Sequence, residues 1–164
     1  MLRPGPRNLI TDVPGLLVGN ATDAAVASGV TLARFPGGWT AGVDVRGGGP
    51  GVRETETLSA ENGYARLHAL TLSGGSVFGL GAADGLTAAL SAAGEGFPVR
   101  PGAPTAPIVA GAVLYDLANG GDKAWGLEPP YRRLGQDALA AAGEAFDLGA
   151  VGAGRGARAG LIQG

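Results

Sequence analysis

The sequence contains no cysteine and a single histidine among its 164 residues. Without cysteine the chain can form neither disulfide bonds nor thiolate metal sites, and it has no thiol nucleophile. The lone histidine, His68, cannot build a metal site of several histidines. We therefore expect no bound metal.

Strong charge and long apolar runs are also missing. Twelve Lys and Arg residues against fourteen Asp and Glu give a formal net charge of -2, and the longest basic run is the pair Arg132 and Arg133. This balance offers no electrostatic attraction to nucleic acid or to an anionic membrane. The first residues lack the apolar core of a signal peptide, and no segment is long enough to span a bilayer. We predict a cytoplasmic protein.

Glycine is abundant, with 32 residues, and 11 prolines accompany it. The glycines cluster at residues 46–51, 73–75 and 149–156, beside apolar segments, where the backbone has to turn tightly or approach another group closely. The length of the chain suits one domain. Residues 1–164 are therefore interpreted as one domain or a portion of one.

The apolar periodicity predicts strands alternating with helices. Two β-rich segments at the start indicate an antiparallel hairpin closed at residues 36–38. A later strand ends in a glycine turn, and Ser76 is well placed to cap the helix that follows. This pattern favours a layered α+β fold. The predicted strands are residues 30–35, 40–45, 67–72 and 108–117, and the predicted helices are residues 77–93 and 132–146.

Ser76 is also a candidate nucleophile, because catalytic serines occur on strand-to-helix turns. His68 as the base and Asp84 or Asp116 as the orienting carboxylate would complete a triad. However, the segment lacks the closing glycine of a nucleophile elbow, and His68 lies in the strand that leads to the same turn. A capping serine and a strand histidine are the favoured interpretation.

A second candidate is the glycine segment at residues 152–157, which matches the dinucleotide-binding pattern GxGxxA. That fingerprint requires a following helix, a second strand and an acidic residue about twenty positions on, and the sequence stops at Gly164. A structural glycine loop is favoured, and no cofactor is predicted.

Two further features have ordinary structural explanations. Glu54, Glu56 and Glu61, with Arg53 beside them, could supply an acid/base pair of carboxylates, but solvated loop charges are the usual outcome. Tyr115 lies in an apolar segment, so on the residues alone a core position is favoured, with its hydroxyl satisfied by a neighbour.

Taken together, five segments resemble the aminopeptidase/D-esterase family of self-cleaving N-terminal-nucleophile hydrolases, which includes β-aminopeptidases and nylon-oligomer hydrolases. Their order along the chain is that of the family. The segments are NLITDVPGLLVG at 8–19, VDVRGGGPG at 43–51 with residues 53–55, LSGGSVFGL at 72–80 with residues 82–85, LYDL at 114–117 with residues 120–123, and GAGRGA at 152–157.

The resemblance implies an α/β (α+β) fold, a layered αββα sandwich, with this chain as its N-terminal (α-subunit) part. Residues 1–164 would be completed by a downstream segment or a second chain. The implied precursor cleaves itself before a Ser or Thr, which becomes the N-terminal nucleophile of a second subunit. The new α-amine, with an ordinary pKa of about 8, can act as the base for the adjacent hydroxyl.

The implied function is hydrolysis of amides or esters next to a free amine, by an aminopeptidase or amidase. The nucleophile lies outside this chain, so the isolated chain is predicted to be inactive. The expected partners are the second subunit, a small peptide or amide substrate, and further copies in a homo-oligomer of heterodimers. Two alternatives remain: a non-catalytic ligand-binding relative of the same fold, and an acetyltransferase of similar self-cleaving architecture.

The resemblance also assigns site residues and reverses the interpretation of Tyr115. It matches an aromatic position that lines the active site, where a phenol can donate a hydrogen bond to a developing oxyanion or hold substrate. Gly74, Gly75 and Ser76 are the predicted substrate-binding residues. Where relatives often carry a lysine shortly after the glycine loop, this chain has Leu161, which argues against a lysine-assisted role.

Overall fold

The structure, a computed structural model, describes residues 3–63 and 66–158, which form a five-stranded sheet and two α-helices. The sheet has the order β1-β2-β4-β5-β3. Only β4 and β5 run parallel to each other; the other neighbours are antiparallel. The elements are β1 (Leu17–Asp23), β2 (Ser28–Thr40), β3 (Val52–Arg53), β4 (Arg66–Ser73), α1 (Gly81–Ala92), β5 (Val109–Val113) and α2 (Tyr131–Ala140).

The predicted antiparallel opening is confirmed, but the predicted hairpin is wrong. β2 continues through residues 36–38 with an irregular register, and residues 41–45 are not a strand. The hairpin instead joins β1 to β2. Its turn is stabilised by Asp23, whose Oδ1 accepts a hydrogen bond from the Val26 N–H at 3.1 Å. Local side-chain hydrogen bonding, and not glycine, makes this turn.

The predicted strand, glycine turn and helix between residues 67 and 93 are confirmed, but Ser76 is not the helix cap. Gly75 and Ser76 both have positive φ, +82° and +52°, and a short 3₁₀ helix, Ser76–Leu80, precedes α1. Gly75 is the N-cap of this 3₁₀ helix, and no side chain caps it. A left-handed Ser76 cannot adopt the extended conformation in which a capping side chain reaches the amides of the first turn.

Both helices pack on one face of the sheet and enclose the main core. α1 and α2 contact each other where Gly85 and Gly135 face backbone: a Cβ on Gly85 would lie 2.1 Å from the Arg132 carbonyl oxygen, and one on Gly135 would lie 2.2 Å from that of Ala82. Side chains longer than hydrogen would push the helices apart. The core residues are Ala21, Val30, Leu32, Ala69, Ala82, Ala83, Leu86, Leu90, Val109, Tyr131, Leu134 and Ala138.

The opposite face of the sheet is only partly covered in the described residues. At one end the 3₁₀ helix Gly152–Arg155 lies on the first two strands, where the Gly152 N–H bonds to Thr22 Oγ1 at 2.8 Å and the Ala153 N–H bonds to Thr31 Oγ1 at 3.1 Å. In the middle, Leu72 of β4 is 47% exposed. The described residues thus form one helical layer and one sheet, with an apolar sheet face open to solvent.

Two predicted elements are shorter than expected. β5 ends at Val113. α2 ends at Ala140, and beyond it Gly143 pairs with Val18 at the edge of β1. Neither helix of the described chain has the length and apolar character needed to cross a membrane. Leu161, which was compared above with a lysine of the relatives, lies outside the described residues.

Candidate active site

The predicted site residues lie together because β4 and β5 are parallel neighbours. Ser73 pairs with Val113, so the segments that follow both strands leave the sheet at the same edge. Two backbone bonds join them: Leu114 N–H to the Ser73 oxygen at 2.9 Å and Ser76 N–H to the Leu114 oxygen at 3.0 Å. The turn at residues 74–76 therefore lies directly beside Tyr115.

Tyr115 is not a core residue, so the interpretation from composition alone is wrong. Its side chain is 56% exposed, and within the described residues its phenol forms no hydrogen bond. The ring lines a cleft of about 350 Å³. The hydroxyl is thus available to a ligand, as its predicted role requires. The cleft is lined by Tyr115, Asp116, Ala118, Asn119, Gly156 and Arg158.

A buried polar network lies beneath this cleft. Asp116 is 1% exposed and accepts two hydrogen bonds: from Ser28 Oγ to Oδ2 at 2.7 Å, and from the Gly75 N–H to Oδ1 at 2.7 Å. Ser28 Oγ in turn accepts from the Tyr131 hydroxyl at 3.0 Å. Burial raises the pKa of Tyr131 above its ordinary value, with Asp116 adding to the effect, although the bond to Ser28 opposes it. Tyr131 therefore remains a neutral donor at physiological pH.

The triad considered for Ser76 is not assembled. His68 lies five residues before Ser73 on β4, about 17 Å away along an extended strand, and its Nδ1 accepts a hydrogen bond from the Ile108 N–H at 3.1 Å. Burial lowers the pKa of His68. Asp84 pairs with Arg132 at 2.8 Å, on the exposed side of the helices. His68 and Asp84 are structural.

The charged stretch after residue 52 is not simply a solvated loop. Glu54 Oε2 accepts a hydrogen bond from the Val109 N–H at 3.1 Å, at the start of β5, and Arg53 lies 3.8 Å from Asp84. Glu56 and Glu61 are exposed, as expected for loop charges. No cluster of three or more His, Asp or Glu side chains that could hold a metal occurs in the described part of the chain.

Sequence reasoning missed two members of the buried network. Ser28 and Tyr131 are 103 residues apart, and each lies near the start of a regular element. No spacing motif links them. The only signal was the double glycine at residues 74–75, which indicated close approach of the backbone to another group without identifying it.

The fold matches that of two solved structures. A protein from Pyrococcus horikoshii OT3 superposes with a TM-score of 0.70 at 24% identity, covering 95% of this chain and 46% of that one. The L-aminopeptidase D-Ala-esterase/amidase of Ochrobactrum anthropi, described as a new variant among the Ntn hydrolase fold, has a TM-score of 0.68 at 19% identity, with the same coverage. These likenesses define the class of fold.

The family follows from sequence comparison. The model of peptidase family S58 matches residues 8–164, and the chain belongs to this family. An uncharacterized aminopeptidase of Mycobacterium tuberculosis is 42% identical over an alignment of 165 positions, which covers 96% of this chain and 46% of that protein. A 6-aminohexanoate-oligomer endohydrolase of Kocuria is 35% identical over an alignment of 161 positions, which covers 97% of this chain and 41% of that protein. The chain spans about half the length of the curated relatives that it matches.

Proposed function

We propose that this chain is the N-terminal portion of a self-processing aminopeptidase or amidase, and that a second chain from the same precursor carries its Ser or Thr nucleophile. The observation that carries the proposal is the match to peptidase family S58 over residues 8–164. Two of the relatives are named as hydrolases, an uncharacterized aminopeptidase and a 6-aminohexanoate-oligomer endohydrolase, which supports the proposal.

The open face of the sheet supports a second structural layer. Leu72 is 47% exposed in the middle of this face, and Val43 and Val45 are exposed beside it. A sheet with one apolar face uncovered is expected to pack against another element. We propose that the second chain contributes a sheet to this face and its own helices outside it, which completes the αββα sandwich around residues 1–164.

The proposed reaction uses the second chain's N-terminal residue as both nucleophile and base. Its hydroxyl attacks the substrate carbonyl while its α-amine takes the hydroxyl proton. The leaving amine receives that proton as the carbon–nitrogen bond breaks, and water then hydrolyses the acyl-enzyme ester. The exposed Tyr115 phenol donates a hydrogen bond to the oxyanion or to the bound substrate. Gly74, Gly75 and Ser76, in the turn bonded to Leu114 beside Tyr115, contact the substrate backbone.

The remaining parts of the proposal concern location and assembly. The proposed location is the cytoplasm. Pairs of the two chains assemble further into a homo-oligomer. The substrate is a small peptide, an amino-acid amide or ester, or a linear oligomer of an amino acid.

Intact mass and N-terminal sequencing of every polypeptide made from the complete precursor test the proposal. We expect two chains, the second beginning with Ser or Thr, and hydrolysis of aminoacyl p-nitroanilides by the pair. Residues 1–164 alone are expected to be inactive. One uncut, inactive product would instead support a ligand-binding relative, and transfer of acetyl groups to an amine would support the acetyltransferase.

A further inference from the structure

The Asp116 carboxylate lies in an unusual environment for a charged group. It is 1% exposed, and no Lys or Arg of the described residues pairs with it. Moving a carboxylate out of water without a counter-charge is unfavourable, and two hydrogen bonds to neutral donors offset only part of that penalty.

Three glycines surround this network so closely that no side chain would fit. A Cβ on Gly74 would lie 2.1 Å from Asp116 Oδ2, and one on Gly156 would lie at the same distance from that atom. A Cβ on Gly75 would lie 2.1 Å from Tyr131 Cζ. Two separate segments of backbone are thus packed against the carboxylate. The three glycines thus leave the Asp116 carboxylate and the Tyr131 ring little room to move.

The direction of each hydrogen bond in the network is determined. An ionised carboxylate can only accept, so the Ser28 hydroxyl donates to Asp116. Ser28 Oγ is then free to accept from the Tyr131 hydroxyl. Consecutive hydrogen bonds therefore connect the start of α2, the start of β2 and the loop after β5.

The loop residue next to Asp116 is Tyr115, and both of its neighbours are bonded to the turn at residues 73–76. Leu114 is held through its N–H and its carbonyl oxygen, and Asp116 is held through its side chain on the Gly75 N–H. The phenol of Tyr115, which lies between these two residues in the chain, forms no hydrogen bond in the described structure. Its backbone is therefore fixed on both sides while its phenol projects into the cleft.

We propose that Asp116 is a positioning residue for the reaction: through its bonds to Ser28 and to the Gly75 N–H it fixes the loop that carries Tyr115, and so the place of the phenol. This inference rests on the proposed function. Asp116 does not touch the substrate. It acts by limiting the displacement of a phenol that has to meet a developing charge, and a displacement of about 1 Å in such a group lowers the rate roughly 100-fold.

A double-mutant cycle in the complete two-chain protein tests this role. Asp116→Asn keeps the size of the side chain and an acceptor for the Gly75 N–H, but its amide nitrogen then faces the hydroxyl of Ser28. We expect kcat for an aminoacyl p-nitroanilide to fall about 100-fold with little change in KM. In a Tyr115→Phe background the same substitution should lower kcat less than about 3-fold, because the group that it positions is absent.

Asp122→Asn is the matched control, since it removes the same charge from an exposed carboxylate nearby. Its Oδ1 accepts from the Ala124 N–H at 2.8 Å, and an asparagine retains that acceptor. We expect unchanged kcat. If Asp116→Asn does not fold, Ser28→Ala replaces it in the cycle; it removes one donor to Asp116 and is expected to lower kcat about 10-fold.

The outcomes separate the two proposals. Equal losses of kcat with and without the Tyr115 hydroxyl would overturn the positioning role and leave the proposed function intact. No hydrolysis by the unaltered complete protein would overturn the proposed function, and the role of Asp116 with it. A loss confined to the background that contains the Tyr115 hydroxyl would establish the positioning role.

Discussion

Alanine in place of Gly85 would test the contact that holds the two helices together. A Cβ at this position would lie 2.1 Å from the Arg132 carbonyl oxygen, while real Cβ atoms stay at least 3.0 Å from other heavy atoms. α1 and α2 would have to separate by about 1 Å. A gap of about that size removes roughly a quarter to a half of the attractive energy of each dispersion contact that it opens. The opposing atom belongs to the backbone and cannot rotate away.

The magnitude follows from two opposing effects. Overpacking of a tight contact costs about 3 kcal/mol at the upper end of the usual range. Alanine is more favourable than glycine inside a helix by about 1 kcal/mol. We therefore expect Gly85→Ala to lower the free energy of unfolding by about 2 kcal/mol, measured by urea titration of the complete protein with an unchanged slope.

Gly81→Ala provides the control on the same helix. Its added Cβ would have only the Arg132 nitrogen nearby, at 3.9 Å, which is an ordinary contact. This variant should be neutral or more stable by up to about 1 kcal/mol. If both variants gave the same free energy of unfolding, the close approach of the helices at Gly85 would be refuted.

Three further predictions concern the buried network, the histidine and the open face. Tyr131→Phe leaves Ser28 Oγ without a donor in the core, and it should lower the free energy of unfolding by about 1–2 kcal/mol in the same urea titration. Burial lowers the pKa of His68, so the unfolded chain binds the proton more tightly than the folded chain does. The contribution of His68 to the free energy of unfolding should therefore be complete above about pH 6.5 and decrease as the pH drops below that value. His68→Gln should remove that part of the pH dependence, and an unaltered profile would contradict the assignment. Leu72→Asp places a charge on the open sheet face and should prevent co-purification of the two chains, whereas Leu127→Asp, at a loop residue that is 96% exposed, should not.

The sequence correctly predicted those strands, turns and helices that are determined by residues close together in the chain. The apolar segment ending in Gly74 and Gly75 correctly indicated a strand, a tight turn and a helix. The hairpin failed because residues 36–38 carry the composition of a turn, whereas the true turn is made by an aspartate and alanines. Pairing with β4 keeps β2 extended on both sides of this glycine segment.

Some residues of the candidate site could be proposed from the resemblance, but their arrangement could not. Tyr115 and Ser76 could be named from the resemblance, but only the parallel pairing of β4 with β5 brings them side by side. The residues alone favoured the core for Tyr115, because it lies in a mostly apolar segment. Tyr115 is exposed because it lies in the loop that begins at Leu114. Apolar periodicity in the sequence does not predict this feature of the tertiary structure.

The network beneath the cleft also bears on the order of folding. Its bonds join residues separated by 41, 88 and 103 positions along the chain. Contacts between such distant residues require large loops to close, and they form after local turns and helices. We therefore expect the geometry around Tyr115 to appear late in folding, once β1, β2, β4, β5 and α2 are in place. In the self-cleaving precursor proposed above, the groups would therefore become aligned only after the core had formed.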